Sequence, residues 1–589
     1  MISAERLRHV LASQPSLVQH PQGQQLLAIA TGPTDLSSGG FPFISQSSFE
    51  LFLEQVPHLF LQGQSILDWV RELDQALADQ EELSGEEIDS LARAMKVIRT
   101  MVLTAAVTAP PDLWLLRQVL SVHQSEGILP ALLQRGEVEP EAFAEELGLQ
   151  AAQLQMDFHF LHARGYLQRT ATGFRVSAGG PGRVLRRVEA LPESFRQDWV
   201  DVFCGWFQSE TEDPESRGLL QSWLQIPEKP EPTGCWVAGW RQMEIGYRML
   251  PLVVAMKACN LCDRQQRGNS LSLPRPHPGI LPLLQAAGAL HGGKVTALGA
   301  RMFSRGPGPY GIIATYHPYL THLEKLLRAD GGGFWVQRAA NVAASQAANQ
   351  KSFTAANDAL DRFCRETGFR FKVFIEHAIG KGEATRQRFV RSAEEELQYV
   401  GADLEDASID EAIKEQAAGR LPANMRFLRK ADIGQPALLL EFLAKHQIDA
   451  KDAVMMVGNG FHEIRDQSNE KMIEVFREYQ QAGILLIFTE ESGLSDQELL
   501  ETAWNTYHAG FRYVHELSGQ GLRPAWESET PQQRFSWAKC ASLAGYRPLD
   551  SFSRRSRRIF PVSKDHPQNP AISVTHFCIP KELANRLGE

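Results

Sequence analysis

The chain has 589 residues, which exceeds several-fold the ~150 residues of a typical domain, so one compact core is excluded and several domains are expected. Hydrophobic residues make up 43% of the sequence and charged residues 22%, which excludes a mainly disordered, collagen-like or coiled-coil chain. The formal net charge of −10 disfavours non-specific attraction to phosphates, so no nucleic-acid partner is expected.

Four regions follow one another along the chain. Residues 1–110 carry apolar residues at helical spacing and predict a helical amino-terminal domain. Residues 111–190 predict a winged-helix domain, because short helices precede a two-stranded hairpin at 165–176. Residues 191–333 predict a helical region with a weaker echo of that pattern, expected to serve dimerisation and as a substrate lid. Residues 334–589 predict a domain in which strands and helices alternate.

This last region alternates short apolar runs with helical patterns. The predicted strands are 370–375, 396–401, 425–428, 453–458, 484–489 and 572–579. Short buried strands separated by helices indicate a doubly wound, mostly parallel sheet, and the final strand suits an antiparallel edge. The predicted fold class is therefore α/β, a Rossmann-like sheet preceded by helical and winged-helix domains.

Cysteine usage and apolar stretches indicate the compartment. The seven cysteines are odd in number and thinly spread, which favours a reducing cytoplasm over an oxidised secreted framework. The first residues lack the apolar core of a signal peptide, and the apolar stretches 97–109 and 250–256 are too short to cross a bilayer. A soluble, cytoplasmic protein without a membrane partner is predicted.

A turn rich in small residues follows the first predicted strand. The strand ends in the acidic Glu376, and Ala378, Gly380 and Gly382 follow at alternate positions before a helix begins. Small residues let the backbone approach a ligand closely while the carboxylate takes one of its polar groups. Asp403 lies 21 residues after Gly382, close to the ~20 expected for a carboxylate that binds ribose hydroxyls.

Asp432, after the third predicted strand, offers a second carboxylate suited to an adenine amine. Two other interpretations remain open at this point. One is a nicotinamide dinucleotide, although the G-x-G-x-x-G spacing is absent because Thr385 stands where the third glycine would be. The other is a strand-to-helix turn that needs small residues for packing alone.

The ordered set of an acid, alternate small residues and acids after strands two and three resembles the class I S-adenosylmethionine-dependent methyltransferases. Glu376, Ala378, Gly380 and Gly382 match the first motif of that family, with Glu and Ala in place of the commoner Asp and Gly.

By the same resemblance, Asp403 corresponds to the ribose-binding acid and Asp432 to the acid on the adenine side. Asn459, after the fourth strand, completes the expected cofactor set. The resemblance implies S-adenosylmethionine as the cofactor.

Residues from about 112 to 589 resemble the small-molecule O-methyltransferase branch, in which a helical dimerisation domain with a winged helix precedes the catalytic domain. In that branch a His-Asp pair follows the fourth strand, and its His is the general base. His462 and Glu463 stand there, so the second residue departs from the pattern and its role stays open. The resemblance implies a homodimer in secondary metabolism whose winged helix serves packing and the substrate pocket.

Two mechanisms suit the polar residues after the fourth and fifth strands. In the first, neutral His462 removes a proton from a hydroxyl or acidic carbon of a small-molecule or carrier-protein-bound substrate, with Glu490 as a further catalytic candidate. In the second, a divalent Fe or Mn ion stabilises an enolate for C-methylation, which would resemble the iron-containing members of the branch. The expected metal ligands are His462, His515, His508 and Gln520.

Other polar residues carry weaker signals. Arg512 and Arg523 are candidates for clamping a substrate carboxylate or phosphate, although most arginines are solvated or salt-bridged. Cys259 and Cys262 have the spacing of half a zinc site but no second pair follows, so two core cysteines are expected. The arginine run 554–558 is expected in a solvated loop, with contact to a carrier protein as the alternative.

The rival interpretation is a winged-helix regulator or adaptor whose methyltransferase-like domain only senses a ligand. A DNA-binding regulator should carry basic residues on its recognition helix. The candidate helix at 153–163 has none besides histidines, which favours the enzyme.

Overall fold

The computed structural model describes residues 2–36, 40–55, 59–78, 81–209, 214–227, 233–328, 338–392, 396–525, 527, 534–558 and 571–588. The chain divides into two compact units. Of the described residues, the first unit holds those of Met1–Val336 and Asp496–Val514, and the second those of Gln337–Ser495, His515–Arg558 and Pro570–Glu589.

The described helices in the amino-terminal part of the chain are α1 (Ala4–Val10), α2 (Pro15–Val18), α3 (Gly23–Ala30), α4 (Gln46–Gln55), α5 (Leu59–Ala78), α6 (Gly85–Ser125), α7 (Ile128–Arg135), α8 (Pro140–Leu147), α9 (Ala151–Ala163), α10 (Gly180–Leu185), α11 (Trp199–Gln208), α12 (Pro214–Trp223), α13 (Trp240–Ala258), α14 (Ile280–Ala286), α15 (Ala297–Arg305), α16 (Pro307–Ala314), α17 (His317–Leu320) and α18 (Leu323–Leu327). The strands there are β1 (Thr34–Leu36), β2 (Pro42–Ile44), β3 (Glu137–Val138), β4 (Leu167–Arg169), β5 (Phe174–Val176), β6 (Leu290–His291) and β7 (Lys294–Val295).

The remaining described helices are α19 (Arg338–Thr367), α20 (Glu383–Arg391), α21 (Asp406–Ala417), α22 (Pro436–Lys445), α23 (Asn469–Gln481), α24 (Asp496–Thr502), α25 (His508–Leu517), α26 (Trp537–Leu543) and α27 (Lys581–Leu587). The remaining strands are β8 (Val373–His377), β9 (Gln398–Asp403), β10 (Arg426–Arg429), β11 (Val454–Gly458), β12 (Leu485–Glu491), β13 (Tyr546–Pro548), β14 (Arg554–Arg558) and β15 (Ala571–Pro580). Short 3-10 turns occur at Glu193–Phe195, Cys262–Arg264, Phe461–Glu463 and Ala503–Asn505.

The long helix α6 organises the first unit. A capping box starts it, because the Ser84 hydroxyl accepts from the Glu87 amide while the Glu87 carboxylate accepts from the Ser84 amide. The helix continues through Pro110 and Pro111, and thus through the boundary expected after residue 110. Its last part packs against α13, where Gly246 permits close approach because a Cβ there would meet Leu113 Cβ at 2.5 Å.

The segment that predicted a winged helix contains α7, β3, α8, α9 and the hairpin β4–β5 in that order. Strands β3, β5 and β4 form a three-stranded antiparallel sheet in the spatial order β3-β5-β4. A second short hairpin, β6–β7, lies between α14 and α15, where the sequence shows the weaker echo. None of the described helices is long and apolar enough to cross a membrane.

The second unit contains an eight-stranded sheet in the order β10-β9-β8-β11-β12-β15-β13, with β14 also paired to β15. Strands β8 to β12 are parallel, and β15 is antiparallel to its neighbours. Alternating side chains fill a core on each face, with Ile375 on one side and Phe374 on the other. The α/β fold class with a mostly parallel sheet is confirmed.

The predicted strands coincide with β8–β12 and β15 to within three residues at each end. Two details of the prediction are wrong. β15 pairs on both sides and is no edge strand, because β13 and β14 cover the side that faces away from β12. The arginine run 554–558 is β14, a strand that pairs antiparallel with β15, and no loop; charged residues are common on strands at the border of a sheet.

Candidate active site at the carboxyl ends of the parallel strands

The strand order reverses between β8 and β11. From β8 the chain builds outward through β9 and β10 on one side, and then returns to add β11 and β12 on the other. The carboxyl ends of strands that flank such a reversal form a crevice, which is where open α/β sheets bind ligands. The predicted site residues follow these strand ends.

The turn after β8 has a backbone that favours glycine. Ala378, Gly380 and Gly382 have φ values of +55°, +52° and +75°, all in the left-handed region. A Cβ at Gly382 would lie 2.8 Å from the Leu421 side chain, so this position excludes larger residues by space as well.

Glu376 anchors the helix that follows this turn. Its buried carboxylate accepts hydrogen bonds from the backbone amides of Ala384 at 3.1 Å and Thr385 at 2.7 Å, at the amino-terminal end of α20. Burial raises the pKa of Glu376 to about 7, against the lowering effect of these hydrogen bonds. The predicted cofactor acid therefore also fixes the glycine turn.

Asp403 connects the ends of β8 and β9. Its Oδ2 accepts a hydrogen bond from the Gly380 amide at 3.1 Å, and its Oδ1 accepts from the Glu405 amide at 2.9 Å. Both bonds come from backbone groups, so the carboxylate has a fixed orientation. Two predicted cofactor residues, Asp403 and Gly380, are thus directly bonded.

Asp432, half-buried after β10, accepts from the Gly434 amide at 2.8 Å and from the Gln435 side chain at 3.0 Å. Its charge also acts on His377, a buried residue at the end of β8 that the sequence interpretation overlooked. Burial lowers the pKa of His377 to about 4 despite the carboxylate, so this imidazole is neutral at pH 7. The sequence feature that could have pointed to His377 is its position directly after Glu376.

The loop after β11 meets the turn after β8. Asn459 has a φ of +55°, and its backbone amide donates to the Thr489 carbonyl at 2.7 Å. A Cβ at Gly460 would lie 2.8 Å from Val457 Cγ1 and 3.3 Å from Ala378 Cβ. Glycine at this position lets the two ligand-facing loops approach each other.

His462 and Glu490 form a buried pair at the ends of β11 and β12. Nδ1 of His462 lies 2.6 Å from Oε2 of Glu490, whose Oε1 accepts from the Phe461 amide at 2.6 Å. The Glu490 side chain is fully buried. This carboxylate fixes both the ring and the 3-10 turn that carries it.

His462 was expected to be a neutral base, but its surroundings favour the protonated ring. Burial alone would lower its pKa, but the Glu490 carboxylate, aided by Glu463, raises the pKa of His462 to about 10. An imidazolium is therefore the resting form at neutral pH.

Glu463 approaches the other ring nitrogen of His462, with its Oε1 3.6 Å from Nε2. Its Oε2 accepts a hydrogen bond from the Gln520 side chain, whose own oxygen accepts from the Ser518 hydroxyl at 2.9 Å. The Gly521 amide donates to the His462 carbonyl at 3.1 Å. The loop after α25 thus holds both His462 and Glu463.

Of the predicted metal ligands, His515 is buried with its ring centroid 5.1 Å from that of His462, and Gln520 contacts Glu463. His508 belongs to the first unit, where its Nδ1 lies 3.1 Å from the Thr506 hydroxyl. Within the described part of the chain, no group of three His, Cys, Asp or Glu side chains is placed to hold a metal ion. The residues that are described therefore do not fit the predicted metal.

The two candidate arginine clamps have structural partners. Arg512 pairs with Asp496 at 2.7 Å within the first unit. Arg523 is fully buried and donates to the Gln467 and Asn469 side chains. Both guanidinium groups hold loops in place.

Comparison with known proteins finds similar structures but no matching family model. No protein-family model matches the chain, and no curated protein matches it. Several solved structures are similar. The CurJ carbon methyltransferase has a TM-score of 0.39 and 11% identity, over 81% of this chain and 96% of that one. The citrinin polyketide synthase CMeT domain has a TM-score of 0.30 and 13% identity, over 56% and 88%.

An O-methyltransferase family 2 protein from Planctomyces limnophilus, in complex with apigenin, has a TM-score of 0.31 and 10% identity, over 80% of this chain and 96% of that one. Likenesses at this level carry no argument about function, which has to come from the geometry of the site.

Proposed function

We propose that the protein is an S-adenosylmethionine-dependent methyltransferase for a small-molecule or carrier-bound substrate. The observation that carries the proposal is the hydrogen bond from the Gly380 amide to Asp403. It fixes a carboxylate beside a turn of small residues at the reversal of strand order, which is the arrangement that a nucleoside ligand requires.

The described residues fit this cofactor. Asp403 would accept hydrogen bonds from ribose hydroxyls, and Asp432 would face the adenine. The residues between the ends of β8 and α20 are small at Ala378, Gly380 and Gly382, so backbone can approach a ligand there. When bound, the cofactor supplies an electrophilic methyl group on a sulfonium.

The sheet argues against the competing dinucleotide interpretation. The dinucleotide-binding fold has the strand order 3-2-1-4-5-6. Here the antiparallel β15 lies between β12 and β13, and the amide of Thr385 is bonded to Glu376. Thr385 stands at the position of the third glycine of the dinucleotide fingerprint, but its amide holds the first turn by bonding to Glu376, which differs from the role of that glycine.

His462 is the proposed base, acting through Nε2. Its Nδ1 is bonded to Glu490, so a substrate hydroxyl or acidic carbon would meet Nε2, in place of the contact with Glu463 at 3.6 Å. Because the two carboxylates raise the pKa of His462 to about 10, the ring must first release the proton on Nε2 to solvent before it can act as a base. We derive no step through a metal, because the described residues do not form a site for one.

The proposal is tested by calorimetric titration of the purified chain with S-adenosylmethionine and with S-adenosylhomocysteine. We expect saturable one-to-one binding that Asp403→Asn weakens about tenfold or more, since a buried hydrogen-bonding carboxylate is lost. Asp406→Asn is the matched control, because Asp406 is an exposed aspartate at the start of α21. Absence of binding to the wild-type chain, or equal weakening by both variants, would overturn the proposal.

A further inference from the structure

The first unit contains a cavity of about 400 Å³ beside the β4–β5 hairpin, which the proposed methyl transfer does not use. Its walls come from the end of α7, from β3 and β5, and from the loop that leads into α10. Three arginines line it, Arg135, Arg175 and Arg186, together with the carboxylate of Glu137. The lining residues thus carry a net charge of +2 in a chain of net charge −10, and the Glu146 partner of Arg135 reduces the local charge to +1.

Two of these arginines, Arg135 and Arg175, make only weak interactions with other side chains. Arg135 pairs with Glu146 at the surface, where the two side chains are 41% and 53% exposed. Arg175 donates to the Gln168 amide oxygen at 3.0 Å. Exposed ion pairs contribute little free energy, so an incoming anion can replace or share them at small cost.

The floor of the cavity lacks bulky side chains. Gly179 and Gly182 line it, and Gly179 has a φ of +73° with a ψ of −129°, a backbone conformation close to glycine-only space. Gly182 lies in α10, four residues before Arg186, and a Cβ there would lie 2.8 Å from the Ser177 carbonyl oxygen and 3.7 Å from Nη1 of Arg186. A ligand group could therefore contact backbone and guanidinium together.

The charge and the geometry favour phosphate over other anions. A phosphate monoester carries a charge of about −1.5 to −2 at pH 7, so three guanidinium groups attract it more strongly than a carboxylate, which carries one charge. Planar guanidinium groups bind phosphate oxygens bidentately. A volume of about 400 Å³ lies within the range of sites for small organic ligands.

We propose that the groove lined by Arg135, Arg175 and Arg186 is a binding site for the phosphate group of a small organic phosphate. The site lies wholly in the first unit, so the proposal stands independently of the methyltransferase assignment.

The test uses the full chain with pyrophosphate as the probe and isothermal calorimetry as the measurement. We expect saturable binding that weakens at least tenfold in Arg186→Gln and in Arg175→Gln. Arg183→Gln is the matched control, since Arg183 is an exposed arginine on the same short helix but does not line the cavity. It should change the dissociation constant less than twofold. Thermal unfolding of each variant confirms that the fold is retained.

Four results would overturn the proposal. The wild-type chain could fail to bind pyrophosphate saturably, or Arg183→Gln could weaken binding as much as Arg186→Gln, which would indicate only general charge attraction. Succinate could bind as tightly as pyrophosphate, which would show that the groove does not select phosphate. A double-stranded DNA that competes with pyrophosphate and shows the same response to Arg186→Gln would assign the surface to nucleic acid.

Discussion

Two buried histidine–carboxylate pairs, one in each unit, have nearly the same geometry and different surroundings. In the second unit, Nδ1 of His462 lies 2.6 Å from Glu490. In the first unit, Nε2 of His123 lies 2.7 Å from Asp157, and both side chains are fully buried. The pair itself therefore does not distinguish a reactive site from a structural one.

The two pairs differ in what contacts the second ring nitrogen of each histidine and the remaining oxygen of each carboxylate. Asp157 also accepts from the Tyr513 hydroxyl and the Gln153 amide, each at 2.8 Å, so donors from α9 and α25 surround it. Nδ1 of His123 is buried and, among the described residues, has no hydrogen-bond partner. In contrast, Nε2 of His462 faces Glu463, whose side chain is 27% exposed. We call the His462 pair, whose second nitrogen faces a partly exposed carboxylate, the accessible pair, and the His123 pair the inaccessible pair.

The largest expected effect is on turnover when the accessible pair is broken. His462→Asn keeps a donor near the position of Nδ1 for Glu490 but removes Nε2. We expect methyl transfer to fall by about 10²–10⁴-fold, the usual contribution of a positioned base, while cofactor binding is retained. The measurement is single-turnover transfer at saturating cofactor, once a substrate is in hand.

The matched control for this loss is His123→Asn, which changes the same residue type in the inaccessible pair. Its turnover should stay within a few-fold of wild type. Equal losses in the two variants would mean that both pairs act through folding, and wild-type turnover in His462→Asn would remove this residue from the mechanism.

The next largest effect is on stability when the inaccessible pair is broken. Tyr513→Phe removes the hydroxyl that Asp157 accepts from, and the ring can keep its stacking on Phe160 at a centroid distance of 4.8 Å. We expect the unfolding free energy to fall by about 1–3 kcal/mol, because a buried carboxylate loses a donor. Denaturant unfolding followed by tryptophan fluorescence measures it.

Tyr507→Phe provides a comparison, as it removes a tyrosine hydroxyl from the same part of the first unit without touching Asp157. A loss of stability in Tyr513→Phe no larger than in Tyr507→Phe would show that the buried network contributes little.

The contrast between the pairs also explains what the sequence could predict. Short apolar runs located β8–β12 and β15, because a buried parallel strand needs nothing beyond a local pattern. Asp403 could be placed for the same reason, since it ends a strand and lies a fixed distance after the glycine turn. Local pattern therefore located the second unit and the ends of its strands.

The local sequence pattern could not predict contacts between residues that are distant along the chain. The protonation of His462 depends on Glu490, 28 residues further along the chain, and a neutral base was expected for lack of that contact. Arg523 resembled a substrate clamp until the structure brought Gln467 and Asn469 to it. Burial and partners decide the role of a polar residue, and both depend on the tertiary fold.

A third expected effect is a pH dependence of stability that belongs to the His462 pair. Its pKa is raised in the folded chain, from 6.5 to about 10, mainly because Glu490 outweighs the cost of burial. A raised pKa means that folding binds a proton, so the stabilisation is fully present below pH 6.5 and is lost as the pH rises through about 10.

Glu490→Gln removes the carboxylate and should lower the pKa of His462, so the difference in melting temperature between wild type and variant should be larger at pH 6 than at pH 10. Differential scanning calorimetry at both pH values measures this, with His123→Asn as the comparison variant in the same buffers. If the wild-type chain and Glu490→Gln lose stability in parallel between these pH values, the charged pair is absent, and Glu490 positions His462 without changing its charge.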